Sequence, residues 1–224
     1  MRYESVVSAR FISRPNRFIA IAELDGKEEV CHVMNTGRMR ELLVPGAEIF
    51  LRPAENPDRK TKYDLVAVRR GDETVNIDSL APNKVAAEYI PTLFPDCKLI
   101  KPETKFGSSR FDFYIEDNFD KIFLEVKGVT LNREGIAVFP DAPTARGAKH
   151  LRELAAAKAA GFRAAVLFVI AMKGIFSFAP NRETDPEFAA ALSAAAAAGV
   201  EIYAVDCRVT PDSIAADSPV PVAL

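Results

Sequence analysis

Apolar and polar residues alternate in four short runs of the first third of the chain: RFIAIAEL (17–24), EEVCHVM (28–34), EIFLRPA (48–54) and YDLVAVRR (63–70). A period of two sets successive side chains on opposite faces of a strand. Breakers separate the runs at Asp25-Gly26, Asn35-Thr36-Gly37, Pro45-Gly46, Asn56-Pro57-Asp58 and Arg70-Gly71-Asp72. Short strands at this spacing predict a small barrel or sandwich. A five-stranded OB-like barrel fits the length, and periodicity alone does not separate it from an SH3-like one.

Near residue 80 the pattern changes to helices alternating with strands, which divides the chain into an expected 1–80 barrel domain and an 81–224 α/β domain. Residues 83–90 read as a helix with Asn83 as N-cap, ending before Pro91. Strands are expected at about 97–106, 110–116 and 121–129. Residues 144–161 form a strong helical pattern with Thr144 at its start and Gly161 as its stop. The apolar run FRAAVLFVIAM suits a central strand buried on both faces. A second helix spans 186–199, with Pro186 at its first position, and VEIYAVDC is the last strand. The final SPVPVAL is expected to lie extended.

The hairpin RFDFYIEDNFDKIFLEVKGV carries the candidate chemistry. Alternation sets Phe111, Phe113 and Ile115 against Arg110, Asp112, Tyr114 and Glu116, and Ile122, Leu124 and Val126 against Phe123, Glu125 and Lys127. With the apolar faces together, Asp112, Glu125 and Lys127 share one side of a sheet. Two carboxylates are hard oxygen ligands suited to Mg²⁺ (or Mn²⁺), and a lysine beside them can orient water or stabilise charge on a phosphodiester under attack. Glu88 on the preceding helix and Glu103, part of a second E-x-K triplet in KPETKFG, compete to complete the acidic set. A solvated sheet face with Arg110 paired to Glu125 is the bland alternative. Against it, Glu125 sits in the strongly apolar run IFLEVKGV, and the next helix carries Arg146, Lys149, His150 and Arg152.

Charge refines this picture. The 224 residues carry a formal net charge of −2, so a nucleic-acid surface must come from arrangement and not from composition. Arg2, Arg10, Arg14 and Arg17 open the chain against Glu4, interleaved with Phe11 and Phe18, a mixture suited to phosphates and unpaired bases. Arg38 in NTGRM could meet a phosphate together with turn amides, or the segment is a simple hairpin loop. Lys105 and Arg110 add to the basic candidates, and His150 reads equally as a surface histidine or a phosphate contact. Three scattered cysteines, no apolar leader and no membrane-length run point to a reduced, cytoplasmic protein.

NTGRM, the Pro45-Gly46 pair, SRFDF, LEVKGVTL, FPDAPTARGAKHLREL and FSFAPNRETDPEFAAAL appear in order. Together they resemble the sugar fermentation stimulation protein A family over almost the whole chain. The resemblance implies an N-terminal OB-like domain and a C-terminal PD-(D/E)XK nuclease-like (restriction-endonuclease-like) domain. It implies Asp112 at the first acidic position, Glu125 and Lys127 at the E-x-K positions and Glu88 at the helical acidic position. It also implies DNA as partner, with RNA not excluded, and regulation of sugar (maltose) metabolism. The proline of the name-giving pair is replaced, since Asp112 stands in RFD. Two functions follow as expectations: a metal-dependent nuclease, or a DNA-binding regulator that keeps the fold without cleaving. Either could act as a homodimer.

Overall fold

The computed structural model describes residues 1–56 and 58–224. Pro57, in one of the expected breakers, lies outside them.

The first domain closes into a barrel. Its strands are β1 (Val7–Asn16), β2 (Ile19–Leu24), β3 (Lys27–Val33), β4 (Glu48–Pro53) and β5 (Tyr63–Arg70), with β6 (Glu73–Asn76) added to β5. β1 pairs with both β2 and β4, β2 with β3 and β4 with β5. A parallel pairing of β3 with β5, Cys31 opposite Tyr63 and Val33 opposite Leu65, completes the ring. That closure is OB-like. Inward positions alternate along the strands and are small where the wall is tight: Ala9, Ala20 and Ala22 sit with Phe11, Cys31, Ile49 and Leu51 in the interior. The four expected runs are all strands. β1 was hidden in the sequence because its outward residues include Arg10 and Arg14, which read as a basic cluster.

The second domain is an α/β sheet of order β15-β14-β12-β9-β8-β7. Its elements are α1 (Ala81–Leu93), β7 (Leu99–Phe106), β8 (Ser109–Glu116), β9 (Lys121–Val129), α2 (Ala145–Ala159), β12 (Arg163–Ile170), α3 (Pro186–Ala197), β14 (Glu201–Thr210) and β15 (Ser213–Pro219). β9, β12 and β14 run parallel. Three short strands, β10 (Leu131–Arg133), β11 (Ile136–Phe139) and β13 (Ser177–Pro180), form a separate small sheet. α1 covers one face of the large sheet, over Phe113, Ile115, Leu124 and Leu167. α2 and α3 cover the other, over Phe111, Phe123, Val166 and Phe168, in an apolar cluster continuous with the barrel interior. Thr144 caps α2, its Oγ1 accepting from Gly147 N–H at 3.1 Å, and Asp185 Oδ1 caps α3 through Phe188 N–H at 2.9 Å.

Three expectations are corrected here. VEIYAVDC is not the last strand, because β15 follows it and pairs antiparallel with it. α1 begins at Ala81 and runs through Pro91, so Asn83 lies inside the first turn and is not the cap. The proline near the helix end removes one backbone donor, too little to stop a helix whose Val85, Ala86 and Ile90 are buried. The hairpin also lacks a clean apolar face. The β8–β9 ladder covers Phe113 to Glu116 and then parts, and Phe111 packs with Phe123 (centroids 5.4 Å apart) on the face opposite Phe113. Glu103, across β7 from the parting point, has a left-handed φ of 51°, so the edge is locally distorted.

Candidate active site

β9 projects Glu125 and Lys127 from one face, toward α2. Glu125 is only 3% exposed. Its Oε1 accepts from Lys127 Nζ and is hydrogen-bonded to Nδ1 of His150, itself buried on α2. Its Oε2 is buried with no hydrogen-bond partner among the described residues. Asp112 stands where β8 leaves β9: Oδ2 accepts from Val126 N–H at 2.8 Å, replacing a ladder bond, and Oδ1 accepts from Asn83 Nδ2 at 2.8 Å. Helix, two strands and a second helix therefore meet at one acidic centre.

The two carboxyls are driven apart. Burial raises the Asp112 carboxyl above the ordinary range, and the charge of Glu125 raises it further, partly offset by the bonds from Val126 and Asn83 and by Lys127. Burial also acts upward on Glu125, but the hydrogen bond from His150 and the charge and bond of Lys127 hold it below its ordinary range. One acid that ionises readily beside one that resists is an environment found at reaction centres.

The residues present fit a hard cation. A buried, unpartnered carboxylate oxygen is costly unless a bound group meets it, and the second carboxylate close by is of the type that Mg²⁺ takes alongside water and phosphate oxygens. Among the described residues no group of three or more His, Cys, Asp or Glu side chains is placed to hold a metal ion. The expected third carboxylate is accordingly absent from the cluster. Glu88 lies on another side of α1 and accepts from the Met1 amine at 2.9 Å. Glu103, turned by its left-handed backbone, pairs with Arg110 at 3.3 Å. The fourth polar partner is Asn83, whose sequence position suggested a cap instead.

The basic candidates separate into groups. Arg110, Arg146, Lys149 and His150 line one hollow of ≈430 Å³, with Arg146 Nε donating to His150 Nε2 at 3.4 Å. Lys105 is exposed on β7 opposite Arg110 and lies outside that hollow. On the barrel, Arg14, Arg17, Arg38 and Arg40 line a second hollow of ≈410 Å³. Arg14 is committed to the fold of a loop. Its guanidinium donates to the carbonyls of Arg17, Asn35, Gly37 and Arg38 at 2.7–2.9 Å and so builds the loop after β3. The amides of that loop are also taken: Gly37 N–H by Asn35 Oδ1 at 2.8 Å and Arg38 N–H by Asp141 Oδ2 at 3.1 Å. Arg10 binds the Gly46 carbonyl at 3.1 Å on the barrel flank and lines neither hollow. Arg40, two residues beyond Arg38 in NTGRMR, was a legible but unread basic position.

Between the domains lies a cleft of ≈360 Å³, walled by Asn35 to Gly37 and Asn76 to Ser79 from the barrel side and by Asn83, Val126, Gly128 and Asp141 to Thr144 from the sheet side. Asn83 and Val126 are the two residues that hold Asp112.

These features define an OB-like barrel joined to a restriction-endonuclease-like α/β domain with a buried acidic centre beside their junction. Residues 12–77 match the family described as SfsA N-terminal OB domain, and residues 80–213 match the sugar fermentation stimulation protein RE domain. The chain belongs to the sugar fermentation stimulation protein family. It is 56% identical over 217 residues to a sugar fermentation stimulation protein homolog of Desulfitobacterium hafniense strain Y51, covering 96% of this chain and 95% of that one. A homolog from Clostridium beijerinckii is 54% identical over 216 residues, with 96% of each chain covered. Among solved structures, Pyrococcus furiosus SfsA in complex with Ca²⁺ superposes with a TM-score of 0.89 at 30% identity, over 100% of this chain and 98% of that chain. Among the described residues no helix is long and apolar enough to cross a membrane.

Proposed function

We propose that this chain binds DNA and hydrolyses a phosphodiester bond, with Mg²⁺ (or Mn²⁺) held by Asp112 and Glu125. The observation that carries the reading is the buried, unpartnered Oε2 of Glu125 beside a second carboxylate and a lysine. The Pyrococcus furiosus relative was solved with Ca²⁺, a hard cation that takes the same class of oxygen ligands.

In this reading Asn83 and the Val126 amide fix the rotamer of Asp112, while His150 and Lys127 occupy Oε1 of Glu125 and leave Oε2 directed at the ligand site. Lys127, half-held by Glu125, keeps further donors to orient the attacking water and to stabilise charge growing on the phosphate. The bound cation supplies acidification of water and charge neutralisation. Arg110, Arg146 and Lys149 hold flanking phosphates of the strand without reading its sequence.

The test is incubation of the protein with labelled DNA in Mg²⁺, Mn²⁺ or EDTA, beside Glu125→Ala. Cleavage that requires metal and disappears in the variant is the expected result. DNA that is retarded but intact in every condition would replace the nuclease with a non-catalytic DNA-binding regulator, the role compatible with control of sugar metabolism genes.

A further inference from the structure

The hollow at Arg17, Arg38 and Arg40 and the interdomain cleft are parts of one depression, because Thr36, Gly37 and Ala142 line both. It runs from the β1–β2 turn of the barrel to the residues that hold Asp112. At the outer end Arg17, Arg38 and Arg40 make no ion pair among the described residues. Phe18 stands beside them, 51% exposed, with the Arg17 guanidinium 6.0 Å from its ring centroid. That ring is held by its backbone: Asn16 Oδ1 accepts from the N–H groups of Phe18 and Ile19 at 2.9 and 3.1 Å. Phe18 thus presents about half of its side chain to water on a tight turn, beside arginines that make no ion pair among the described residues. It is suited to stack an unpaired base while the guanidinium groups take phosphates.

The inner end is small. At ≈360 Å³ the cleft lies near the bottom of the roughly 300–1,000 Å³ range of small-molecule sites, room for about one nucleotide. Its barrel wall is tied down by the four carbonyl bonds of Arg14 and by the Arg38–Asp141 contact.

We infer that the strand led to the carboxylates is single-stranded DNA, one base stacked on Phe18, its phosphates passing Arg17, Arg38 and Arg40 into the cleft beside Asn83. The inference rests on the nuclease reading for what happens at the inner end, while the binding route stands on the barrel's own residues. Duplex DNA keeps its base faces covered, so it offers Phe18 nothing to stack on and enters the cleft only after unpairing.

Binding is measured by fluorescence anisotropy in EDTA, with a short labelled single strand of mixed sequence, the corresponding duplex and the corresponding RNA. The single strand is expected to bind at least about tenfold tighter than the duplex. Phe18→Ala is expected to weaken single-strand binding about tenfold without changing its salt dependence. Arg38→Ala is expected to weaken it and to lower the salt slope by about 0.7, as loss of one phosphate contact to a single strand requires. Both side chains are exposed, and circular dichroism checks that the variants fold. Duplex binding as tight as single-strand binding, or a Phe18→Ala variant that binds like the parent, overturns the inference, and tighter binding of RNA overturns the assignment to DNA. Failure of the nuclease reading is separate: no cleavage in Mg²⁺ leaves these affinities standing, whereas metal-dependent cutting of duplex and single strand at equal rates keeps the nuclease and removes its single-strand preference.

Discussion

His150 on α2 and Glu125 on β9 share a buried hydrogen bond from ring Nδ1 to carboxylate Oε1, and the second oxygen of that carboxylate is left without a partner. Arg146 Nε donates to the other ring nitrogen at 3.4 Å. Arginine only donates, so Nε2 is the acceptor and Nδ1 carries the hydrogen directed at Glu125. The helix thus sets the orientation of a strand carboxylate from the layer beneath it, as outer partners of metal ligands do.

Replacing His150 should therefore weaken metal binding. His150→Ala is expected to lower Mn²⁺ affinity about 10- to 100-fold by calorimetric titration. His150→Gln, which keeps an N–H donor, should recover part of the loss. Equal losses in the two variants would mean that packing and not the hydrogen bond is what matters.

Gly128 and Pro82 set the distance between β9 and α1. A Cβ at Gly128 would meet Pro82 Cγ at 2.6 Å, so Gly128→Ala must push α1 outward and carry Asn83 away from Asp112. The expected cost is about 1–3 kcal/mol in thermal or urea unfolding, accompanied by loss of cleavage. Asn83→Ala, at an exposed position, should lower cleavage with stability nearly unchanged.

Arg14→Lys should fail to replace arginine. Four carbonyls of the loop after β3 share one planar guanidinium, and a lysine offers a single point donor in its place. Urea unfolding should show a loss of about 2–3 kcal/mol for Arg14→Ala and only slightly less for Arg14→Lys. A change in DNA affinity with stability intact would instead make Arg14 a phosphate contact.

Asp64 should make the barrel acid-sensitive. It is 1% exposed and bonded to His32, Arg52 and Arg59. Burial acts to raise its carboxyl, but the bonds from Arg59 and His32 and the arginine charges prevail and hold it below the ordinary range. A depressed carboxyl stabilises the fold fully above its unfolded value near ~3.9, and that contribution disappears as pH falls through the lower folded value. Asp64→Asn should thus cost about 3 kcal/mol near neutrality. The gap from the parent protein, followed by urea unfolding, should narrow below about pH 4. A gap that is constant from pH 7 to pH 3 would contradict the assignment.

Much of this architecture was present in local pattern. Alternation located β2 to β5, the apolar run located β12, and Thr144 with Gly161 bounded α2, because each signal depends on residues one to four positions apart. The E-x-K spacing placed Glu125 and Lys127 on one face for the same reason. Asp112 was named correctly as their neighbour, but through a hairpin drawn too regular: β8 parts from β9 beyond Phe113, and the Val126 amide bonds the Asp112 carboxylate in place of a ladder partner, which alternation does not show.

The sequence by itself located β2 to β5, the central strands and helices of the second domain and the chemical types at the centre, since propensity and periodicity act along the chain, whereas β1, β6, β10, β11, β13 and β15 were not legible in it. Only the tertiary structure decided which charges are buried and what they face. Glu88 and Asn83 sit on one short helix, and rotation about its axis alone sends the first to the Met1 amine and the second to Asp112. His150 and Arg14, both plausible at a surface, became internal donors because the acceptors that needed them lie far away in sequence, on β9 and in the loop after β3. An unsatisfied polar group is costly once water is excluded, and which groups lose their water is fixed by packing.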